Sequence, residues 1–260
     1  MDFSFSVLSV QGALLAATFF FSGVIDAVCG GGGLLSMPMY LTLGFPPHLV
    51  TGTNQCSIFL GGATSLARYM KGGHIHWPSA LPAAPLAIAG AFLGARLNLF
   101  LPERYLEMVM IVLLPIVAAV ILFKPDFGAE NRVGGISRRR ILTGALVIGL
   151  AVGAYQGFYG AGSGTFFLLG FSLLTRLDLT TASGNTKVVA FCANLASAAT
   201  FALSGAVVWN AVLLATVFNV AGSYIGAGIA MKKGAKVIRP MFLFVLALLF
   251  VRLAYTLLSA

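Results

Sequence analysis

Ten apolar runs, separated by short polar breaks, leave this chain few folds to choose from. They cover residues 7–28, 34–45, 50–70, 77–100 and 103–123, then 141–159, 165–177, 181–203, 207–231 and 237–258. All but two are near the ~20 residues that cross a ~30 Å hydrocarbon core as helix. Only 9% of the residues are charged, against about 25% in soluble domains, so the chain lacks the polar surface to stay in water. A soluble enzyme, a disordered tail and a secreted disulfide scaffold are excluded. The expected fold class is an all-α polytopic membrane protein.

The two short runs, 34–45 and 165–177, reach only ~18–20 Å at about 1.5 Å per residue. They hold matching places in an internal repeat. A shift of 132 lays GTNQ (52–55) on GNTK (184–187), Trp77 on Trp209, and AGAFLGARL (89–97) on AGSYIGAGI (221–229). The glycine breaks GGGG (30–33) and GAGSG (160–164) align at a shift of 130. The expected organisation is a first repeat over 1–123, a basic cytoplasmic loop over 124–140 and a second repeat over 141–260.

Lys and Arg positions choose the orientation of the halves. If each long-plus-short pair around a glycine break is a V returning to its own face, each half makes three full crossings. The halves are then inverted. Twelve basic residues fall inside (Arg68, Lys71, Lys124, Arg132, Arg138, Arg139, Arg140, Arg176, Lys232, Lys233, Lys236, Arg239), against Arg96, Arg104 and Arg252 outside. If the long arms cross fully, the split is 8 against 7, and the positive-inside bias selects the inverted arrangement. The same bias accounts for the formal charge of +9 without a nucleic-acid partner. Long arms of 19–22 residues exceed half a membrane, an excess that tilt would absorb.

Irregular backbone at membrane depth is tolerated where it lines a cavity, and paired broken helices point to a transporter's central site. Short helices opening at about Leu34 and Thr165 would aim their unpaired N–H groups at the midplane, a ready anion site. Gly31, Gly32 and Gly33 form one tip; Gly162, Ser163, Gly164 and Thr165 form the other. The alternative is tight packing with no ligand. Lys187, inside an apolar run, is a functional candidate by default. Its repeat partner is Gln55, with Asn54, Thr53, Asn185 and Thr186 as further donors. Asp26 lies four residues before the first glycine break, and its repeat partner is the neutral Gln156. It either carries a proton during transport or neutralises Lys187.

Other features read as structural. Gly90/Gly94 and Gly222/Gly226 are GxxxG packing faces, Trp77 and Trp209 are interfacial anchors, and Pro38, Pro82, Pro85 and Pro115 mark kinks. His74 and His76 belong to a solvated loop, and Cys29, Cys56 and Cys192 are small buried hydrophobes. No metal site, cofactor or catalytic group is expected, so an enzyme ranks last.

The segments GVIDAVCGGGGLLSMP (23–38), PPHLVTGTNQ (46–55) and HWPSALPAAPLAIAGAFLGARL (76–97) resemble the sulfite exporter TauE/SafE family of anion permeases. So do GFYGAGSGTFFLL (157–169), TASGNTK (181–187) and VVWNAVLLATVFNVAGSYIGAGIA (207–230). The resemblance implies export or exchange of sulfite, a sulfonate or a related organic anion, bound between the two halves. The expected function is a secondary transporter of a small anion, with proton coupling through Asp26 as one option. An uncoupled channel-like facilitator and a membrane scaffold without transport are the alternatives, and a homodimer is left open.

Overall fold

The computed structural model describes residues 10–101, 135–245 and 247. The run at 103–123 with Pro115, most of the loop at 124–140, and Arg104, Lys124, Arg132 and Arg252 lie outside the described residues, as does most of the run at 237–258. The chain folds as α1 (Val10–Cys29), α2 (Gly33–Thr42), α3 (Pro47–Lys71), α4 (Trp77–Phe100), α5 (Arg138–Phe158), α6 (Ser163–Leu174), α7 (Leu179–Leu203) and α8 (Trp209–Lys233). A further helix, α9, occupies 235–245. Five of these (α1, α4, α5, α7 and α8) are long and apolar enough to cross a bilayer. α3 is equally long but carries a polar stripe, Thr51, Thr53, Asn54, Gln55 and Ser57, all buried. Large apolar side chains such as Leu93, Leu213 and Val217 face outward instead. Polar groups inside and bulky apolar groups outside suit a lipid surround. The chain is a polytopic membrane protein.

Helix ends follow local chemistry. Asp178 starts α7 two residues before the apolar run because its carboxylate accepts from the N–H groups of Thr180 (3.0 Å) and Thr181 (3.1 Å). Ser137 caps α5 and accepts from Arg140 N–H at 3.4 Å, so that helix begins within the stretch expected to be loop. Arg68 and Lys71 close α3, where cations meet the negative end of the helix dipole.

The helices pack by small residues, and the packing repeats. A Cβ on Gly222 would strike Phe20 and Val24 of α1, and one on Gly226 would strike Val24 and Ala27. At the matched positions, a Cβ on Gly90 would strike Leu150 and Ala154 of α5, and one on Gly94 would strike Ala154 and Phe158. Each GxxxG face is therefore a seam between one half's fourth helix and the other half's first helix.

These registers also fix direction. Rising numbers in α1 meet rising numbers in α8, and α4 runs with α5 in the same way. α3 is parallel to α8, with Thr53 bonded to Val208, Ser57 to Thr216 and Arg68 to Tyr224. α3 is antiparallel to α7, where Tyr69 meets Ser183, Phe59 stacks on Phe191 and Cys56 lies by Ala198. α4 runs with α7, His76 meeting Asn185 near their starts and Ala95 clustering with Phe201 near their ends, so α1, α3 and α8 point one way, while α4, α5 and α7 point the other. Arg68, Lys71, Arg138, Arg139, Arg140, Arg176, Lys232, Lys233, Lys236 and Arg239 then gather at one end of the bundle, and Arg96 sits toward the opposite end.

Candidate functional site

Each V turns on a glycine in left-handed backbone: Gly30 at φ +79° and its match Gly160 at φ +85°. Only glycine adopts these angles at no steric cost. The two tips touch. A Cβ on Gly30 would overlap the backbone of Gly164, and one on Gly33 would stand 3.1 Å from Ala161.

A cavity of about 30 Å³ lies beside the tips. One water needs roughly 10–15 Å³, so this space holds two or three waters. Its walls come in repeat-matched couples. Asp26, Gly30 and Gly33 face it with Gln156, Gly160 and Ser163, and Ile58 and Gly62 face it with Ala190 and Asn194. The first three couples are 130 positions apart and the last two 132. Lys187, Phe191 and Gly164 complete the wall. Residues 58–62 and 190–194 also straddle the midpoints of the two 25-residue helices α3 and α7. The cavity therefore sits where the two halves meet, at mid-height.

Two contacts hold the tips to the long helices. Lys187 on α7 is 3% exposed and donates to the backbone oxygen of Asp26 and, at 3.1 Å, to its carboxylate, which is 24% exposed. The matched contact is uncharged: Gln55 Nε2 on α3 donates to the backbone oxygen of Gln156 at 2.7 Å. In both, the side chain of a third helix grips the same carbonyl of the other half's first helix. Gln156 Nε2 donates in turn to Ala190 O at 2.9 Å, while Gln156 Oε1 and Asn194 Oδ1 are buried without partners. Among the described residues, Tyr69 on α3 and Cys29 on α1 also lie close enough to Asp26 to interact with it electrostatically. The Tyr69 hydroxyl lies 3.1 Å from Ala27 O and 3.0 Å from Ser183 Oγ.

Of the residues expected at the site, Asp26, Gly33, Ser163, Gly164 and Lys187 line the cavity. The others lie around it. Gly31 is covered by Val245, and the Gly32 carbonyl accepts from Ser22 and Ser36. Gly162 packs on Leu34, and the Thr165 hydroxyl donates to Cys29 O at 3.2 Å. The Thr186 hydroxyl returns to Ala182 O of its own helix, and Asn54 Oδ1 is buried without a partner. Two of the further donors are clamps. Asn185 Oδ1 accepts from His76 N–H at 2.8 Å, and the matched Thr53 Oγ1 accepts from Val208 N–H at 3.0 Å. His76 is thus a half-buried anchor rather than a solvated loop residue, and burial pushes its imidazole below the ordinary pKa. Gln156 and Asn194 were not expected at the cavity. Asn194 lies seven residues, two turns, beyond Lys187 on one face of α7, a spacing that points to it. Among the described residues no group of three or more His, Cys, Asp or Glu could hold a metal.

The sulfite exporter TauE/SafE family model matches residues 15–253. The chain belongs to that family. It is 34% identical over 252 residues to "Probable membrane transporter protein ORF9" of Sinorhizobium sp., covering 97% of this chain and 94% of the relative. It is 31% identical over 248 residues to a probable membrane transporter protein of Haemophilus influenzae, with 94% of each covered. It is 28% identical over 255 residues to the probable membrane transporter protein YfcA of Escherichia coli, covering 96% of this chain and 93% of the relative. No solved structure matches. The family and these bacterial relatives make this TauE/SafE chain a membrane transporter, multi-pass in the inner membrane.

Proposed function

We propose that the chain is a secondary transporter that exports or exchanges a small anion, such as sulfite, a sulfonate or a related organic anion. The family's name supports the substrate class. The observation that carries the reading is the buried ammonium of Lys187 in a cavity whose walls come in matched couples from both halves. In the closed arrangement Asp26 occupies that ammonium, and the cavity has room only for water. A substrate anion binds Lys187 when Asp26 takes up a proton and its neutral carboxyl lets go. Proton and anion therefore cross together, outward down the anion's own gradient or in exchange for another anion, and rocking of the halves opens the site to each face in turn.

The two halves are taken as 1–123 and 141–260, in inverted topology with the basic end cytoplasmic. The opposed directions of α1 and α5 and the gathering of basic residues at one end support this. The glycine tips Gly31–Gly33 and Gly162–Thr165, with Asn54, Gln55 and Thr186, surround the anion as the cavity widens.

Proteoliposomes given a pH gradient test the reading. Uphill sulfite or methanesulfonate accumulation is expected in the native chain, and Asp26→Asn should keep only downhill flux. Full gradient dependence in Asp26→Asn would sink the coupling. Purely downhill flux in the native chain would make it a facilitator, and a folded Lys187→Met protein with unchanged anion binding would leave only a scaffold.

A further inference from the structure

From the asymmetry of the two tip contacts, we infer that Gln55 and Gln156 set the charge of the transported species, restricting it to singly charged anions. The inference rests on the proposed anion site and says which anions fit it. The two contacts are equivalent in place: Lys187 reaches the Asp26 carbonyl, and Gln55 reaches the Gln156 carbonyl. They differ in charge and in the second bond: Lys187 also reaches the Asp26 carboxylate, whereas the Gln156 amide turns to Ala190 O. The Lys187–Asp26 contact carries one cation and one anion, whereas the Gln55–Gln156 contact is neutral at any pH. Among the described residues, Lys187 is the one cation lining the cavity and Asp26 the one carboxylate.

The charge balance follows. At rest the Asp26 carboxylate cancels Lys187. When Asp26–COO⁻ gains a proton from water and becomes COOH, the wall keeps one uncompensated positive charge. A monoanion cancels it, and the site returns to net zero with one proton and one anion aboard. A dianion leaves a full negative charge buried at mid-membrane, where an unpaired charge is strongly disfavoured. The matched position cannot supply the second cation, because Gln55 has none to give. Gln156 Oε1, an acceptor 3% exposed in its residue and without a partner, adds no positive charge either.

The test compares methanesulfonate, a monoanion, with sulfate, a dianion of similar head-group chemistry, by binding to the purified full-length protein at pH 7. The native chain should bind methanesulfonate at least about tenfold more tightly than sulfate. Transplanting the ion pair to the matched positions, as Q55K/Q156D, gives the site two cations once both carboxylates are protonated. It should improve sulfate relative to methanesulfonate by at least about tenfold. Equal binding of the two anions by the native chain overturns the inference while leaving the anion site standing, and this comparison decides even if the double variant does not fold. A folded double variant with an unchanged ratio also overturns it. Binding of neither anion by the native chain overturns this inference and the anion site together.

Discussion

The two glycine-tipped V's are alike in backbone and unlike in chemistry. Both turn on left-handed glycines 130 positions apart, and both are held by a third-helix side chain on the same carbonyl. The first V is secured by an ion pair and the second by an amide. Where two halves must fit one another, the packing positions stay matched: Gly90 with Gly222, Gly94 with Gly226, Gly52 with Gly184. At the cavity several couples diverge: Asp26 against Gln156, Gly62 against Asn194, and Lys187 in the wall against Gln55, which lies beside it on the Gln156 carbonyl. A duplicated frame thus carries one titratable contact and one fixed contact.

The largest effects should come from breaking what the halves share. Gly94→Leu and Gly226→Leu each drive a side chain into a facing backbone, so neither should give a monodisperse folded protein by detergent gel filtration. Gly62→Ala adds a methyl group where nothing lies within 4 Å, and should fold normally. If Gly94→Leu folded while Gly226→Leu did not, the matched seams would not be equivalent.

The next effect separates the two contacts. Lys187→Met leaves the Asp26 carboxylate without its cation and should cost about 3 kcal/mol in unfolding free energy at pH 7.5. Gln55→Met removes a neutral hydrogen bond and should cost about 1 kcal/mol. Adding Asp26→Asn to Lys187→Met should recover most of the larger loss. Equal losses for the two single variants would contradict the charge difference between the V's.

How far these residues could be read in advance depends on what decides them. The span of α4 was legible because apolar length is a local property; Trp77–Phe100 stands as the sequence suggests. Lys187 and Asp26 were legible because charge is costly in an apolar run. Asn185 and Thr53 were not, since their partners, His76 and Val208, belong to the other half and are met only after the halves interlock. Gly31, Gly32 and Gly162 missed the cavity for a related reason. Backbone turning at Gly30 and Gly160 decides which tip residues face inward, and composition carries no sign of that.

Those interlocking clamps give smaller effects. Asn185→Ala removes acceptor and donor from the start of α4 and should cost about 2 kcal/mol, while Thr53→Val at the start of α8 should cost about 1 kcal/mol by thermal unfolding. Smallest of all is the pH response of His76. Its folded pKa is depressed by burial, so its contribution is present above the ordinary histidine pKa of about 6.5 and is lost as pH falls through the lower folded value. The melting temperature should drop on acidification below about pH 6.5, and His76→Gln should flatten part of that drop. A slope unchanged in His76→Gln would assign the acid sensitivity elsewhere.

The central claim is that a substrate anion and the Asp26 carboxylate compete for the Lys187 ammonium. Calorimetric titration with methanesulfonate in two buffers of different ionisation enthalpy counts the protons bound with each anion. The account predicts one proton taken up per anion by the native chain and none by Asp26→Asn. Anion binding without proton uptake in the native chain, or with the same uptake in Asp26→Asn, would contradict it.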